Sequence, residues 1–178
     1  TVRLVEVVEV RHVEEYIPSV IEPSFGIGRI MYSLLEHSYW TRSGDEQRAV
    51  LSLPACVAPT KVLLAPLSPH DSFRPFMIEV STAFRTCPSP LAFVTDESST
   101  SIGKRYARND EIGVPFAVTV DFQTVQDQTV TLRERDSTQQ VRVPISQLTS
   151  VLSDLIEARS KWDEVTVRFG LFAANLKE

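Results

Sequence analysis

The stretch KVLLAPLSPHD, Lys61 to Asp71, decides which fold the chain takes. Lys61 to Leu67 is a short apolar run suited to a buried strand. Pro69 and Asp71 supply turn and helix-start chemistry after it. Phe73, Phe76, Met77, Val80 and Phe84 then recur at helical spacing, an aromatic stripe that reads as core. Working downstream, Leu91 to Thr95 (LAFVT) is a second strand, and DESSTS offers several N-caps for a helix that runs through Asp110 and stops at Gly113. Phe116 to Val120 (FAVTV) is a third strand. Thr129 to Arg133 and Gln139 to Val143 alternate apolar and polar residues around Asp136-Ser137, which predicts a hairpin. After Pro144, Ser146 is the expected cap of a helix with Leu148, Val151, Leu152, Leu155 and Ile156 on one face. The order β-α-β-α-β-β-β-α predicts an α/β fold: three parallel strands joined by right-handed crossovers, extended by an antiparallel hairpin into a mixed five-stranded sheet covered by helices.

Upstream, Val2 to Val10 and Ile17 to Ile21 read as extended, β-rich pieces. Ile27, Ile30, Met31, Leu34 and Leu35 then set up an amphipathic helix opened by GIGR. Between Tyr39 and Pro59 the pattern breaks down into TRSGDEQR and two prolines, which places a domain boundary near residue 54 and divides the chain into 1–54 and 55–178. From Trp162 to Glu178 only a short packed segment around Trp162, Val165 and Phe169 is expected.

An apolar share of 43% with 23% charged residues excludes a disordered or fibrous class. No run approaches the roughly 18 apolar residues of a membrane span, and TVRLVEVVEV carries charges too often for a signal peptide. The expectation is a cytoplasmic protein, with an organellar isoform as the alternative. Cys56 and Cys87 lack paired spacing, and His12, His37 and His70 are scattered, so no metal site is expected. A net charge of −5 argues against sequence-independent binding of nucleic acid, which needs cations to neutralise phosphates. Any such binding has to be local and specific.

GIGR lacks the Lys-Ser or Lys-Thr of a nucleotide P-loop, and Met31 breaks the dinucleotide fingerprint. What remains is Glu22, Ser24, a glycine turn and Arg29 in a first helical turn: a carboxylate, a hydroxyl and a guanidinium within one pocket's width. An ordinary capped helix is the plainer reading. Lys104, Arg105 and Arg108 cluster on one predicted helix, either a solvated face or a basic patch. Phe122 falls at a strand end where an exposed ring could stack on a base, a core phenylalanine being the plainer alternative. With Val130 and Leu132 inward, Arg133 is expected to face out and Arg135 to sit at the turn.

Val20 to His37, VIEPSFGIGRIMYSLLEH, resembles motif 3 of class II aminoacyl-tRNA synthetases, specifically the glycyl-tRNA synthetases of the eukaryotic and archaeal type. The likeness continues through GDEQR, KVLLAPLS, Asp96 to Phe122 and Thr129 to Arg142, nearly the whole chain. It implies an anticodon-binding domain preceded by a remnant of the catalytic antiparallel sheet with its motif 3 helix. It implies Arg29 at ATP, and Glu22 and Ser24 at the ammonium group of glycine. By the same resemblance Lys104, Phe122, Arg135 and Asp154 contact the anticodon of tRNA-Gly, although Lys104 stands where relatives often carry arginine and lacks its two-point grip. A carboxylate suits cytosine, whose exocyclic amine is a donor, and glycine anticodons end in two cytosines. The complete family enzyme is a homodimer that joins glycine to ATP, with Mg2+, and passes the glycyl group to tRNA. Motif 2 is absent and motif 1 unrecognisable, so the chain alone is expected to be inactive, the C-terminal part of a longer ligase. A small intact enzyme and a non-catalytic accessory RNA-binding domain are the competing readings.

Overall fold

The computed structural model describes residues 1–172, with side chains throughout except at 45–47. Residues 1–26 form no strand, contrary to the β-rich reading, and their side chains are exposed. Alternation alone does not make a strand; it needs a neighbour to take up its hydrogen bonds, and none lies beside this segment among the described residues. Helix α1, Ile27–Ser38, begins at Gly26, whose carbonyl accepts from Arg29 N and Ile30 N at 3.0 Å. Its apolar stripe is present but unpartnered, with Ile27 81%, Met31 59% and Ile30 54% exposed. Where the sequence pattern dissolves, the chain forms an antiparallel hairpin, β1 (Tyr39–Arg42) and β2 (Asp45–Leu51), turned at Gly44 with φ +83°.

The five-stranded sheet is as expected from the sequence. β3 (Val62–Pro66), β4 (Phe93–Thr95), β5 (Phe116–Val120), β6 (Thr129–Glu134) and β7 (Gln140–Pro144) lie in the order β4-β3-β5-β6-β7. β3 is parallel to both β4 and β5, and the β5–β6 and β6–β7 pairs are antiparallel. A 3-10 turn, Asp71–Phe73, leads into α2 (Arg74–Thr86); α3 (Ile102–Glu111) connects β4 to β5; α5 (Ile145–Ile156) follows β7. Two elements escaped the sequence reading: α4 (Phe122–Asp127) and α6 (Trp162–Phe169). The unassigned tail is therefore helical to Phe169; its last residues, 173–178, lie outside the described ones.

Both faces of the sheet are covered, which is why β3 and β5 are buried along their whole length. Val62, Leu64, Val118, Val120, Leu132 and Val143 pack with Met77, Val80 and Phe84 of α2 and with Leu148 and Leu152 of α5. Leu63, Ala65 and Ala117 meet Ile102 and Tyr106 of α3 on the other face. Ser146 does not cap α5. Pro144 occupies the N-cap, and the N–H of Ile145 donates to Gln128 O at 3.0 Å. Beyond α6 the chain returns to β7: Val141 bridges Leu171, and Phe172 N donates to Gln140 O at 2.7 Å.

Candidate nucleic-acid interface

The second and third parallel strands are added on opposite sides of β3, so the sheet has a topological switch point at the carboxyl ends of β3 and β5, where α/β sheets open a ligand crevice. Leu67 N donates to Val120 O at 2.8 Å there and ties the two strand ends together. Three rings gather above them. Phe122 stands edge-on to Phe73 at 4.9 Å and to His70 at 5.4 Å between centroids. Phe73 is 1% exposed and anchors the group, whereas Phe122 is 53% exposed and keeps much of its ring toward solvent. Beside the rings opens a cleft of about 600 Å³ lined by Pro66, His70, Arg74, Arg85 and Glu97, among others.

Asp121, the residue before Phe122, sets the ring's position. Its Oδ1 accepts from Thr124 N at 3.0 Å, and its own N–H donates to Thr124 Oγ1 at 3.0 Å, a reciprocal cap that starts α4. Its Oδ2 accepts from Thr131 Oγ1 at 3.2 Å and from Arg142, which also donates to Thr129 O at 3.0 Å. Phe122 thus projects from a backbone fixed to two neighbouring strands. Phe73 is the core residue that its helical spacing predicts, whereas nothing in the sequence assigned His70, Asp121 or Arg142 to the site; the available signal was an aspartate directly preceding a strand-end phenylalanine.

The predicted basic cluster separates on folding. Arg105 is 1% exposed, and its guanidinium donates to Asp96 O and Leu67 O, both at 3.0 Å, holding together the segments that leave β4 and β3. Arg108 is exposed but donates to Asp96 Oδ2 at 2.9 Å and to Ser98 and Thr100 hydroxyls. Partial burial works against the Asp96 carboxylate, but hydrogen bonds from Ser98 and the charges of Arg108 and Arg105 outweigh it and hold its pKa below the ordinary value. Lys104, in the first turn of α3, stays exposed and has no side-chain partner among the described residues.

Arg133 and Arg135 both depart from expectation. Arg133 does turn away from the Val130 and Leu132 face, but that face is covered: the guanidinium is clamped by Asp110 Oδ1 at 2.9 Å and Oδ2 at 3.0 Å, over the ring of Tyr106. Arg135 is 4% exposed and donates to Gly113 O and Leu53 O at 3.0 Å and to the Asp136 carboxylate. Its register places it at the far end of the sheet, because Phe116 pairs with Glu134 while Phe122 follows the other end of β5. Five strand residues separate the two by about 16 Å. Asp154 belongs to that far end too, late in α5, with Oδ1 accepting from Arg159 Nε at 2.8 Å. The four residues expected at the anticodon therefore do not converge. Phe122 and Lys104 share the carboxyl rim, and Arg135, having spent its donors on backbone and Asp136, is a packing residue.

Glu22, Ser24 and Arg29 are all exposed, and the stem of Arg29 lies back along Gly26. None of the three makes a side-chain hydrogen bond to another described residue, so their common pocket is not formed by the described part of the chain. No helix among the described residues is long and apolar enough to cross a membrane.

Fold and rim define a class: a mixed α/β module covered on both faces that presents a flat ring and an unpaired cation at the carboxyl ends of its parallel strands. The chain belongs to the anticodon binding domain family, whose model matches residues 61–155. It is 53% identical over 165 residues to glycine–tRNA ligase 1, mitochondrial, of Saccharomyces cerevisiae, covering 93% of this chain and 24% of that protein. It is 52% identical to glycine–tRNA ligase of Drosophila melanogaster (90% of this chain, 21% of the relative) and 42% identical to that of Methanothrix thermoacetophila (86% and 27%). The chain thus spans about a quarter of the length of these relatives. Prolyl-tRNA synthetase from Cryptosporidium parvum, solved with halofuginone and AMPPNP, shares the fold at TM-score 0.56 and 24% identity, over 65% of this chain and 24% of that one.

Proposed function

We propose that the chain is the C-terminal part of a glycyl-tRNA synthetase and that its carboxyl rim reads the anticodon loop of tRNA-Gly. The observation that carries this reading is Phe122: a half-exposed ring seated on buried Phe73, at the switch point of a fold whose family binds anticodons. Unpaired bases stack on such rings. Lys104, in the first turn of α3 at the same rim, supplies a charge for a phosphate of the loop, and His70 and Arg74 line the cleft beside the Phe122 ring. Residues 55–178 form the reading unit and residues 1–54 belong with the catalytic part, where Glu22 and Ser24 would face the glycine ammonium and Arg29 the ATP polyphosphate. An exposed guanidinium without a partner fits an anion of that kind, and bound ATP with Mg2+ would supply the activated phosphate for glycine. The homodimer and a cytoplasmic or organellar site of action belong to the complete protein.

The test is binding of this chain to a tRNA-Gly anticodon stem-loop against one in which the two cytosines are replaced. A preference for the cytosine-bearing loop at moderate salt is expected; equal affinity for the two removes anticodon reading.

A further inference from the structure

The hairpin β1–β2 continues from α1 without a linker, since Ser38 closes the helix and Tyr39 opens the strand. Its Arg42 reaches across to the five-stranded domain. The guanidinium donates to Asp110 Oδ2 at 2.9 Å, Arg135 O at 2.6 Å and Asp136 O at 3.1 Å. Asp110, 5% exposed in the last turn of α3, is already held by Arg133 through both oxygens, so two guanidinium groups from two separate sheets grip one carboxylate. A second bond backs the first: Ser52 Oγ donates to Asp136 Oδ1 at 2.6 Å, and Trp40 Nε1 donates to Ser52 Oγ at 2.6 Å.

Helix α3 therefore has two working ends. Lys104 lies in its first turn at the RNA-facing rim, and Asp110 lies six residues further on, about 9 Å along the axis. A buried ionic contact is a poor source of stability compared with apolar packing of the same volume, so its value here lies in registry rather than strength. A planar fork that meets a carboxylate and two carbonyl oxygens accepts few orientations of the hairpin against α3.

Resting on the functional reading above, we propose that Arg42 is a positioning residue. It locks the hairpin that carries α1, and with it Arg29, in fixed orientation to the rim that holds Phe122 and Lys104. Productive delivery of the tRNA acceptor end to the catalytic side then depends on this lock, while RNA binding at the rim and amino-acid activation do not.

The experiment compares wild type, Arg42→Ala, Arg42→Gln and Arg42→Lys in the complete gene product. Three quantities are read: glycine-dependent ATP–pyrophosphate exchange, which needs no tRNA; kcat/KM for charging tRNA-Gly; and Kd for the anticodon stem-loop. Arg42→Ala is expected to lower charging tenfold or more while exchange and stem-loop Kd stay within twofold. Arg42→Lys should recover part of the loss. Should the alanine variant fail to fold, Arg42→Gln replaces it, with the same split at threefold or more. Charging within twofold of wild type in a folded Ala or Gln variant overturns the proposal, as does a parallel fall of exchange and charging. A wild-type protein that binds no stem-loop overturns the functional reading and the lock with it, an outcome distinct from a wild type that binds and charges beside variants that do the same.

Discussion

At Phe122 the solvent-facing ring is held in place by one that never meets solvent, and the division of labour can be tested. Phe122→Ala is expected to weaken stem-loop binding by roughly 1–3 kcal/mol, about 5- to 150-fold, the range for one base–aromatic stack. The thermal midpoint should fall only slightly, because the ring is already 53% exposed; unchanged affinity in the variant argues against stacking. A strand-end phenylalanine was legible in the sequence, but the six-residue helix it opens was not, being under two turns and too short for periodicity to register. Arg133 and Arg135 were misjudged for a different reason. Alternation reports which face of a strand a residue takes, and says nothing of whether a helix covers that face. At Asp136, burial disfavours the charged carboxylate, yet bonds from Arg135 and Ser52 and the charges of Arg135 and Arg42 prevail, and its pKa is lowered. A lowered carboxylate pKa contributes stability above the unfolded value, near 3.9, that is lost as pH falls through the folded one. In urea titrations, Asp136→Asn should be less stable than wild type at pH 6, with the gap closing toward pH 2; a gap independent of pH would remove this role.

The hairpin β1–β2 shows why elements of one chain differ in legibility. β3 and β5 are buried on both sides and announce themselves as apolar runs, so the sheet order follows from sequence. Among its described residues the hairpin has few buried side chains, Val50 among them; β2 runs beside α3, and the two are also joined by Arg42 and Asp110, which a hydropathy pattern reads as loop. Gly113 is the element-scale hinge of this packing. It takes φ +83°, and a Cβ there would lie 3.0 Å from Leu53 Cδ1 and 3.2 Å from Leu51 O, at the end of the hairpin. Gly113→Ala combines left-handed strain of about 1–2 kcal/mol with that close contact. It should lower the unfolding free energy from urea titration by at least this amount; a value within about 0.3 kcal/mol of wild type would mean that the hairpin shifts to relieve the contact.

For the whole molecule, a net charge of −5 has to coexist with a polyanionic ligand. Arg105 and Arg108 at the rim are already paired, which leaves Lys104 with Arg74 and Arg85 of the cleft to meet phosphates, a small number of charges. Binding should therefore weaken only mildly with salt, and Lys104→Ala should reduce the log–log salt slope by about 0.7, the contribution of one phosphate in a single strand. An unaltered slope would place Lys104 away from the RNA. The return of Leu171 and Phe172 onto Val141 and Gln140 has a bearing on handling as well. A nick at Gly170 would release the bridge that covers the start of β7 and lengthen the open edge of the sheet, an invitation for neighbouring copies to dock ladder to ladder and leave solution as aggregate.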